Sequence, residues 1–233
     1  MTKSAAQSSC LADLHRRIVS CRACPRLVAW REQIAREKRA AFEQEEYWGK
    51  PIPGFGDARA RLLICGLAPA AHGGNRTGRV FTGDRSGDWL YRALYHAGFA
   101  NQPKSIQRND GLKLRDCYIT ACVHCAPPAN RPAVDERDRC LPFLREEFQL
   151  LTRVRVVVCL GGYAWNGVVT TLSQLGYPAR PRPKFGHGAT FQTGPYTIIG
   201  SYHPSQQNTF TGRLTREMLD QVFGEAKRSL DGA

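Results

Sequence analysis

The sequence has 233 residues, 42% hydrophobic and 23% charged, with 33 Lys and Arg against 20 Asp and Glu for a formal net charge of +13. This length and composition fit one soluble globular domain spanning residues 1–233, and the chain shows no internal repeat or low-complexity segment. The positive charge favours a polyanionic partner, nucleic acid first, although a basic protein without such a partner fits the charge equally well.

Targeting segments are not visible. Met1–Ser20 contains no uninterrupted apolar core, so we expect no signal peptide and a loosely ordered segment over residues 1–20. The apolar run Val156–Val169 is interrupted by Gly161 and Gly162 and is too short to span a bilayer. We therefore expect a cytoplasmic protein with no membrane partner. Its nine cysteines would be metal ligands, catalytic thiols or core residues rather than disulfides, because the cytosol keeps thiols reduced.

Four short apolar, β-branched runs predict strands that are buried on both faces, as in a parallel sheet. These runs are Arg61–Gly66, Cys117–Cys122, Val154–Leu160 and Tyr196–Tyr202. Helical spacing of apolar residues appears in Asp88–Ala97, from Leu141 onward with a start or bend at Pro142, and in Leu214–Lys227. This alternation predicts a three-layer α/β/α domain with a mostly parallel sheet. Ligands bind at the carboxyl ends of such strands, where the polar, Gly- and Pro-rich loops of this chain lie.

The cysteines fall into two groups. Cys65, Cys117, Cys122 and Cys159 lie inside the apolar runs and are interpreted as small buried hydrophobes, and Cys10 carries no indication of a role. A second group lies outside the strands, with a C-x-x-C pair followed much later by a C-x14-C pair: Cys21, Cys24, Cys125 and Cys140. This spacing favours a metal site over a thioredoxin-like redox pair, and by itself fits zinc and a 4Fe–4S cluster equally well.

The loop Gly66–Asp84 follows the first predicted strand directly. It has neither a G-x-G-x-x-G fingerprint nor a P-loop motif. Its glycines let backbone amides approach a ligand, and Arg76, Arg79, Phe81 and Asp84 add cations, an aromatic face and a carboxylate. This combination at the carboxyl end of a strand favours a functional site over an ordinary glycine-rich loop.

This loop is one of five segments that resemble the family-five (b-type) uracil-DNA glycosylases. The other four are CRACPRLVAWR, PIPGFGD, CAPPANRP and SYHPSQQNTFTGRLT, and the resemblance runs from about Cys21 to Lys227. It implies a four-stranded parallel sheet between helices and a 4Fe–4S cluster held by Cys21, Cys24, Cys125 and Cys140. It also implies a monofunctional enzyme that cleaves uracil, and often other deaminated bases such as hypoxanthine and xanthine, from DNA. Such an enzyme would be associated with the nucleoid in a prokaryote, and we expect a monomer.

The resemblance also implies roles for individual residues around a flipped base. Phe81 would stack on the base, while Gly66, Leu67, Ala68 and Asn130 would contact its polar edge. His203 would stabilise the leaving base, and Asp84 would act on the water or the sugar cation, because Ala68 stands where other glycosylase families place the polar residue that activates water. The expected catalytic residues are thus Asp84, His203 and Asn130. Our candidates for phosphate contacts are Arg76, Ser205 and Arg213.

Each role has a simpler alternative. Asp84 suits the N-cap of the helix that begins near Ser86, His203 fits an ordinary loop histidine, and Asn130, between two prolines, fits a turn. For the whole chain, one alternative is a non-catalytic iron–sulfur DNA-binding module, which would not need Phe81, Asp84 and His203 to converge. A glycosylase that stays covalently attached to DNA would need a nucleophile in an extended basic loop, and SYHPSQQN contains no such insertion.

Overall fold

The computed structural model describes residues 3–232, with side chains from residue 10 onward. One sheet runs through the domain in the order β1-β3-β2-β4-β6-β5. Its central strands β3, β2, β4 and β6 are parallel, and β1 and β5 pair antiparallel at the two edges. The strands are β1 (Phe55–Gly56), β2 (Leu62–Gly66), β3 (Cys117–Ala121), β4 (Val156–Leu160), β5 (Thr190–Thr193) and β6 (Tyr196–Ser201).

The four predicted strands are the four parallel strands, so the α/β class and the mostly parallel sheet are confirmed. The sheet itself has six strands rather than four. Both additional strands lie at edges, where Phe55–Gly56 has two residues and Thr190–Thr193 exposes alternate side chains. Neither therefore has the continuous apolar pattern that identifies a buried strand.

Helices cover both faces of the sheet, as a three-layer domain requires. Two of them, α4 and α8, contribute to the apolar cluster on one face, while α1, α5 and α6 contribute to the cluster on the other. The helices of the described chain are α1 (Lys3–Ser20), α2 (Pro25–Glu37), α3 (Gly74–Thr77), α4 (Arg85–His96), α5 (Val134–Leu150), α6 (Gly162–Gln174), α7 (Gln206–Phe210) and α8 (Arg216–Asp231). Pro142 lies inside α5 rather than at its start.

The expectation of a loosely ordered segment over residues 1–20 is wrong for the part that the structure describes. Lys3–Ser20 is helical and packs against α5. Leu11, Leu14 and Ile18 are buried there at a spacing of three and four residues, which is the apolar stripe of a core-facing helix. The stripe escaped notice in the sequence because charged residues separate its members.

The strand cysteines are core residues, as the sequence predicts. Cys65, Cys117, Cys122 and Cys159 have no exposed surface. Cys10 is exposed on α1. Among the described residues, no helix combines the length and apolar character that crossing a bilayer requires.

Candidate functional site

A cavity of about 590 Å³ opens at the carboxyl ends of the parallel strands. It brings together loops that follow β2, β3 and β6, which are far apart in the sequence. Seven of the predicted site residues line it: Leu67, Ala68, Phe81, Asp84, Asn130, His203 and Ser205. Gly66 lies directly behind the Phe81 ring. Arg76 and Arg213 are not among the lining residues.

Phe81 is held rigidly in this cavity. Its φ of +50° is in the left-handed region that a bulky residue rarely adopts. Its ring packs on Gly66 so closely that a Cβ at Gly66 would lie 2.7 Å from the Phe81 Cζ. The surrounding structure therefore enforces a strained conformation, which is common at binding sites. The result is a fixed aromatic surface in the cavity wall.

Asp84 is both a helix cap and a cavity residue. Its Oδ1 accepts a 2.9 Å hydrogen bond from the Gly87 amide at the start of α4. Its Oδ2 points toward Gly73, where a Cβ would approach it to 2.0 Å, so glycine is required there. Burial raises the pKa of the Asp84 carboxyl, against the lowering effect of amide hydrogen bonds from Gly87 and Ser86. The capping alternative is thus correct as a contact, and the capping residue also lines the cavity.

His203 follows β6 and faces the same cavity. Burial lowers the pKa of its imidazole to about 4, so the ring is neutral at pH 7. Its ring centroid lies 5.8 Å from that of Phe81, with 34° between the planes. The side-chain amide of Asn208 donates a 2.9 Å hydrogen bond to the His203 carbonyl, which fixes the backbone here. A neutral imidazole in this position can donate one N–H to a bound group.

Asn130 ends a short 3₁₀ turn after β3. Both Ala129 and Asn130 have a positive φ, at 52° and 55°. The turn alternative therefore describes the backbone correctly, and the turn directs Asn130 to the cavity that Phe81 and His203 line. Three of the non-glycine residues with positive φ, namely Phe81, Ala129 and Asn130, line this one cavity. This clustering is typical of a functional site.

The prediction that Arg76 contacts phosphate is wrong. Its side chain is 7% exposed, and its guanidinium donates to the His72 and Gly83 carbonyls at 2.8 and 2.9 Å and to the Glu45 carboxylate. It also lies 3.9 Å from the centroid of the Phe42 ring. Arg76 therefore braces the Gly66–Asp84 loop from within. The sequence shows an arginine among glycines but not the direction in which its side chain points.

The other two phosphate candidates stand at the rim. Ser205 is the N-cap of α7, where its hydroxyl accepts a 3.4 Å hydrogen bond from the backbone N–H of Asn208. Arg213 is exposed, with its guanidinium 4.5 Å from the Tyr202 ring centroid. These positions are compatible with phosphate contacts and leave both assignments as predictions.

Two further residues at the rim were not predicted. Phe210 ends α7 and is 68% exposed. The Arg85 guanidinium lies 4.2 Å from its ring centroid, and Arg85 itself lines the cavity. A lone aromatic in the otherwise polar segment Ser205–Gly212 is the sequence signal that would have identified Phe210. An exposed aromatic at the mouth of a cavity is suited to contact a bound ligand.

The cysteines of the second group converge on a separate cavity between α2, α5 and the segment after β3. All four of Cys21, Cys24, Cys125 and Cys140 line it. Burial raises the pKa of the Cys24 and Cys140 thiols and raises that of Cys125 to about 11. In the described part of the chain, no three Cys, His, Asp or Glu side chains form a group that could hold a metal ion as they stand.

Hydrogen-bond donors surround these sulfurs. Arg31 is buried and donates to the Cys125 Sγ at 2.8 Å, while its Nε has no partner. The His124 amide reaches the Cys140 Sγ at 3.4 Å, and Arg139 hydrogen-bonds to Cys24. The carboxylate that pairs with Arg31, on Glu32, is 4.0 Å away. A buried guanidinium requires negative charge nearby, and deprotonated sulfurs would provide it.

The chain is similar to known proteins over most of its length. The profile of the Uracil DNA glycosylase superfamily matches residues 53–227. A Mycobacterium tuberculosis protein named type-5 uracil-DNA glycosylase is 53% identical over 94% of this chain and 81% of its own. A Thermus thermophilus protein of the same name is 50% identical over 91% of this chain and 94% of its own. A type-4 uracil-DNA glycosylase from Archaeoglobus fulgidus is 28% identical over 84% of this chain and 81% of its own.

Proposed function

This chain belongs to the type-5 uracil-DNA glycosylases of the uracil-DNA glycosylase superfamily, and we propose how its residues cleave uracil from DNA. The chain is a DNA-repair enzyme that hydrolyses the N-glycosidic bond of uracil in DNA and leaves an abasic site. The observation that carries the proposal is the convergence of Phe81, Asp84 and His203 on one cavity. That convergence, together with the kinship, favours an enzyme over a non-catalytic DNA-binding module.

The base is recognised after it leaves the stack. A base inside a duplex is out of reach, so the nucleotide must rotate into the cavity. The rigid Phe81 ring then stacks on the base, while Asn130 and the backbone of Gly66, Leu67 and Ala68 contact its polar edge. This small set of polar groups favours uracil and leaves room for other deaminated bases such as hypoxanthine and xanthine.

His203 acts on the leaving base. As the glycosidic bond breaks, negative charge develops on the base and positive charge on the sugar. A neutral imidazole N–H beside Phe81 stabilises that negative charge without being ionised itself. Removal of one such donor typically costs about 3 to 4 kcal/mol of transition-state stabilisation. The low pKa of His203 keeps the ring in this neutral form throughout the physiological range.

Asp84 acts on the other side of the bond. Its carboxylate lines the cavity while it caps α4, and it is the group that acts on a water molecule or on the sugar cation. A raised pKa makes a carboxylate a better proton acceptor while leaving it ionised above that pKa. The fixed Asp84 backbone at the start of α4 holds the carboxylate in place.

We further propose that Cys21, Cys24, Cys125 and Cys140 hold a 4Fe–4S cluster. Four soft sulfur ligands from two separated pairs suit iron–sulfur chemistry, and the buried Arg31 beside Cys125 fits an anionic group. Such a cluster would tie the start of α2 to α5 and thereby hold the nearby Asn130 turn. Its contribution in this proposal is structural, and no step of the cleavage passes through it.

Duplex oligonucleotides that carry one uracil test the proposal directly. The protein should convert the uracil site to an alkali-labile abasic site, and a matched thymine duplex should remain intact. Hypoxanthine and xanthine duplexes, run in parallel, measure the substrate range. If no duplex gains an alkali-labile site while the folded protein binds DNA, the DNA-binding alternative is correct.

We also propose a cytoplasmic monomer, nucleoid-associated in a prokaryote. Light scattering of the purified protein tests the monomeric state.

A further inference from the structure

A second cavity, of about 920 Å³, lies beside the edge strand β1 and is larger than the base cavity. It runs between α1, the middle of α2, the segment 48–55 and residues 108–109 of the segment 105–110. Its lining combines basic side chains with aromatic ones, chiefly Arg16, Lys50, Arg108, Trp48 and Phe55. We call it the β1 groove. Of these five residues, none has a role in the mechanism above.

The basic residues of the β1 groove differ in whether they already have an ion partner. Arg22 is paired with Glu32, and Arg79 with Asp110 at 2.7 Å. Lys50 and Arg108 are exposed, and neither takes part in any ion pair among the described residues. These two cations are therefore available to an external anion.

Trp48 holds both cations in one place. Its indole N–H donates to the Pro51 carbonyl at 3.1 Å, and Gly78 packs on the ring so closely that a Cβ would lie 3.0 Å from Cδ2. The Lys50 Nζ lies 5.5 Å from the ring centroid, and the Arg108 Cζ lies 4.5 Å from it. Two unpaired positive charges are thus at most about 10 Å apart across a fixed aromatic side chain. A negatively charged ligand between them would relieve their repulsion.

The β1 groove is built on the same loop as the base cavity. The Arg79 guanidinium donates to the Arg108 carbonyl at 3.1 Å, and the Gly83 amide donates to the Ser105 carbonyl at 2.9 Å. Segment 105–110 is therefore packed on the loop that ends in Asp84. Arg79 lines the groove and Asp84 lines the base cavity, five residues further on. An extended chain of that length spans at most about 18 Å, so the two cavities lie on neighbouring parts of one loop.

We propose that the β1 groove binds the phosphate backbone of the DNA that flanks the flipped nucleotide, through Lys50 and Arg108. This inference rests on the proposed function, because the DNA must already be held at the base cavity. Because the groove and the base cavity share one loop, the contact is expected on one flank of the lesion. The contact positions the duplex without reading its sequence, since phosphates carry no sequence information.

The test compares uracil duplexes whose two flanks differ in length. In one set the 5′ flank is one or twelve base pairs long, and in the other set the 3′ flank is one or twelve base pairs long. For each duplex, affinity is measured as the enzyme concentration that gives half of the maximal single-turnover cleavage rate, at salt concentrations between 50 and 200 mM. The wild type is compared with the Lys50→Ala/Arg108→Ala double variant. The control is Arg145→Ala/Arg153→Ala, which removes the same charge from two other exposed positions. Arg145 lies on α5, and Arg153 lies between α5 and β4.

We expect a longer flank on one side to tighten wild-type binding and to steepen its salt dependence. The double variant should reduce the slope of log affinity against log salt by about two units on the long-flank duplex and leave it unchanged on the short-flank one. The control should leave both slopes unchanged. Equal slope losses on long and short duplexes, or no loss on either, would overturn the proposal. Failure of the wild type to cleave any duplex would instead overturn the proposed function.

Discussion

The rings of Phe81 and His203 lie 5.8 Å apart, on loops that follow β2 and β6. This relationship places an aromatic surface beside a neutral hydrogen-bond donor at one end of the sheet. The two strands are separated by β4 in the sheet order. Only the parallel arrangement, with all carboxyl ends at one edge, brings their loops together. The sheet topology thus assembles the cavity that we propose as the site of uracil cleavage.

The first prediction concerns the four cysteines. Purified anaerobically, the protein should be brown and contain about four irons per chain. Cys140→Ser should lose iron and colour, and also solubility, because metal binding is coupled to folding. Cys10→Ser is the matched control, since that cysteine is exposed on α1 and should leave the iron content unchanged. Stoichiometric zinc without iron would contradict the cluster.

The second prediction concerns the two arginines proposed for phosphate from the sequence. Arg213→Ala should reduce the slope of log affinity against log salt by about one unit for undamaged duplex, because one exposed cation no longer displaces a counterion. Arg76→Ala should leave that slope unchanged and lower the unfolding midpoint, since the buried guanidinium braces the loop. Fluorescence anisotropy titrations and thermal unfolding measure the two effects. A reduced slope for Arg76→Ala with unaltered stability would restore Arg76 as a phosphate contact.

The third prediction concerns the buried carboxyl of Glu147. Burial raises its pKa to about 8, and Tyr118 donates a 3.4 Å hydrogen bond to it. The folded state therefore holds a proton that the unfolded state releases, so this contribution to stability is present below about pH 4.5 and is lost as the pH rises toward 8. The loss is on the order of a few kcal/mol, at roughly 1.4 kcal/mol for each pKa unit.

Glu147→Gln keeps the size and an acceptor for Tyr118 but cannot ionise. In urea unfolding, the variant should gain stability relative to the wild type between pH 5 and pH 8. The difference between the two proteins isolates Glu147 from the histidines that titrate over the same range. A difference that does not change with pH would show that Glu147 is already ionised in the folded protein.

The fourth prediction concerns the pH dependence of cleavage. The proposed reaction uses ionised Asp84 and neutral His203, and both forms exist on the alkaline side of the respective pKa. The single-turnover rate should therefore be constant near pH 7 and fall at acid pH, because Asp84, whose pKa is raised by burial, and His203, with a pKa of about 4, both take up a proton there. Asp84→Asn should remove the contribution of Asp84 to this fall and retain the fall near pH 4. An acid limb that is identical in wild type and Asp84→Asn would show that Asp84 does not contribute to it.

The strands and the cavity were predictable for the same reason. The runs at Leu62–Gly66 and Val156–Leu160 are buried on both faces, so their composition is nearly all apolar, and the loops after them had to carry the polar function. The edge strands were not predictable, because a half-exposed strand such as Thr190–Thr193 has no such composition. The helix Lys3–Ser20 was missed for a similar reason, since its stripe is narrow and its polar residues are numerous.

The residues that line the cavity were predictable in type but not in orientation. Phe81 and Asp84 were predicted because they lie in the polar loop after a strand, and His203 was predicted from the resemblance to the family-five glycosylases; all three line one cavity. In the sequence, Arg76 and Arg79 look like cations that are available to a ligand. In the structure both are buried and bonded to carbonyls and carboxylates of the protein itself. Phe210 was overlooked because its exposure, and its contact with Arg85, depend on the three-dimensional position of α7.

The measurement that tests the central claim most directly is single-turnover cleavage of a uracil duplex by a saturating excess of His203→Ala or Asp84→Asn. We expect about a hundredfold or greater loss of rate for His203→Ala and roughly a ten- to thousandfold loss for Asp84→Asn, with DNA affinity nearly intact, because both interactions are made mainly in the transition state. Asp88→Asn, an exposed change in the first turn of the same helix, is the matched control and should cleave at the wild-type rate. Cleavage by Asp84→Asn at the wild-type rate would show that Asp84 only caps α4, and an unimpaired His203→Ala would contradict the assignment of the leaving-base donor.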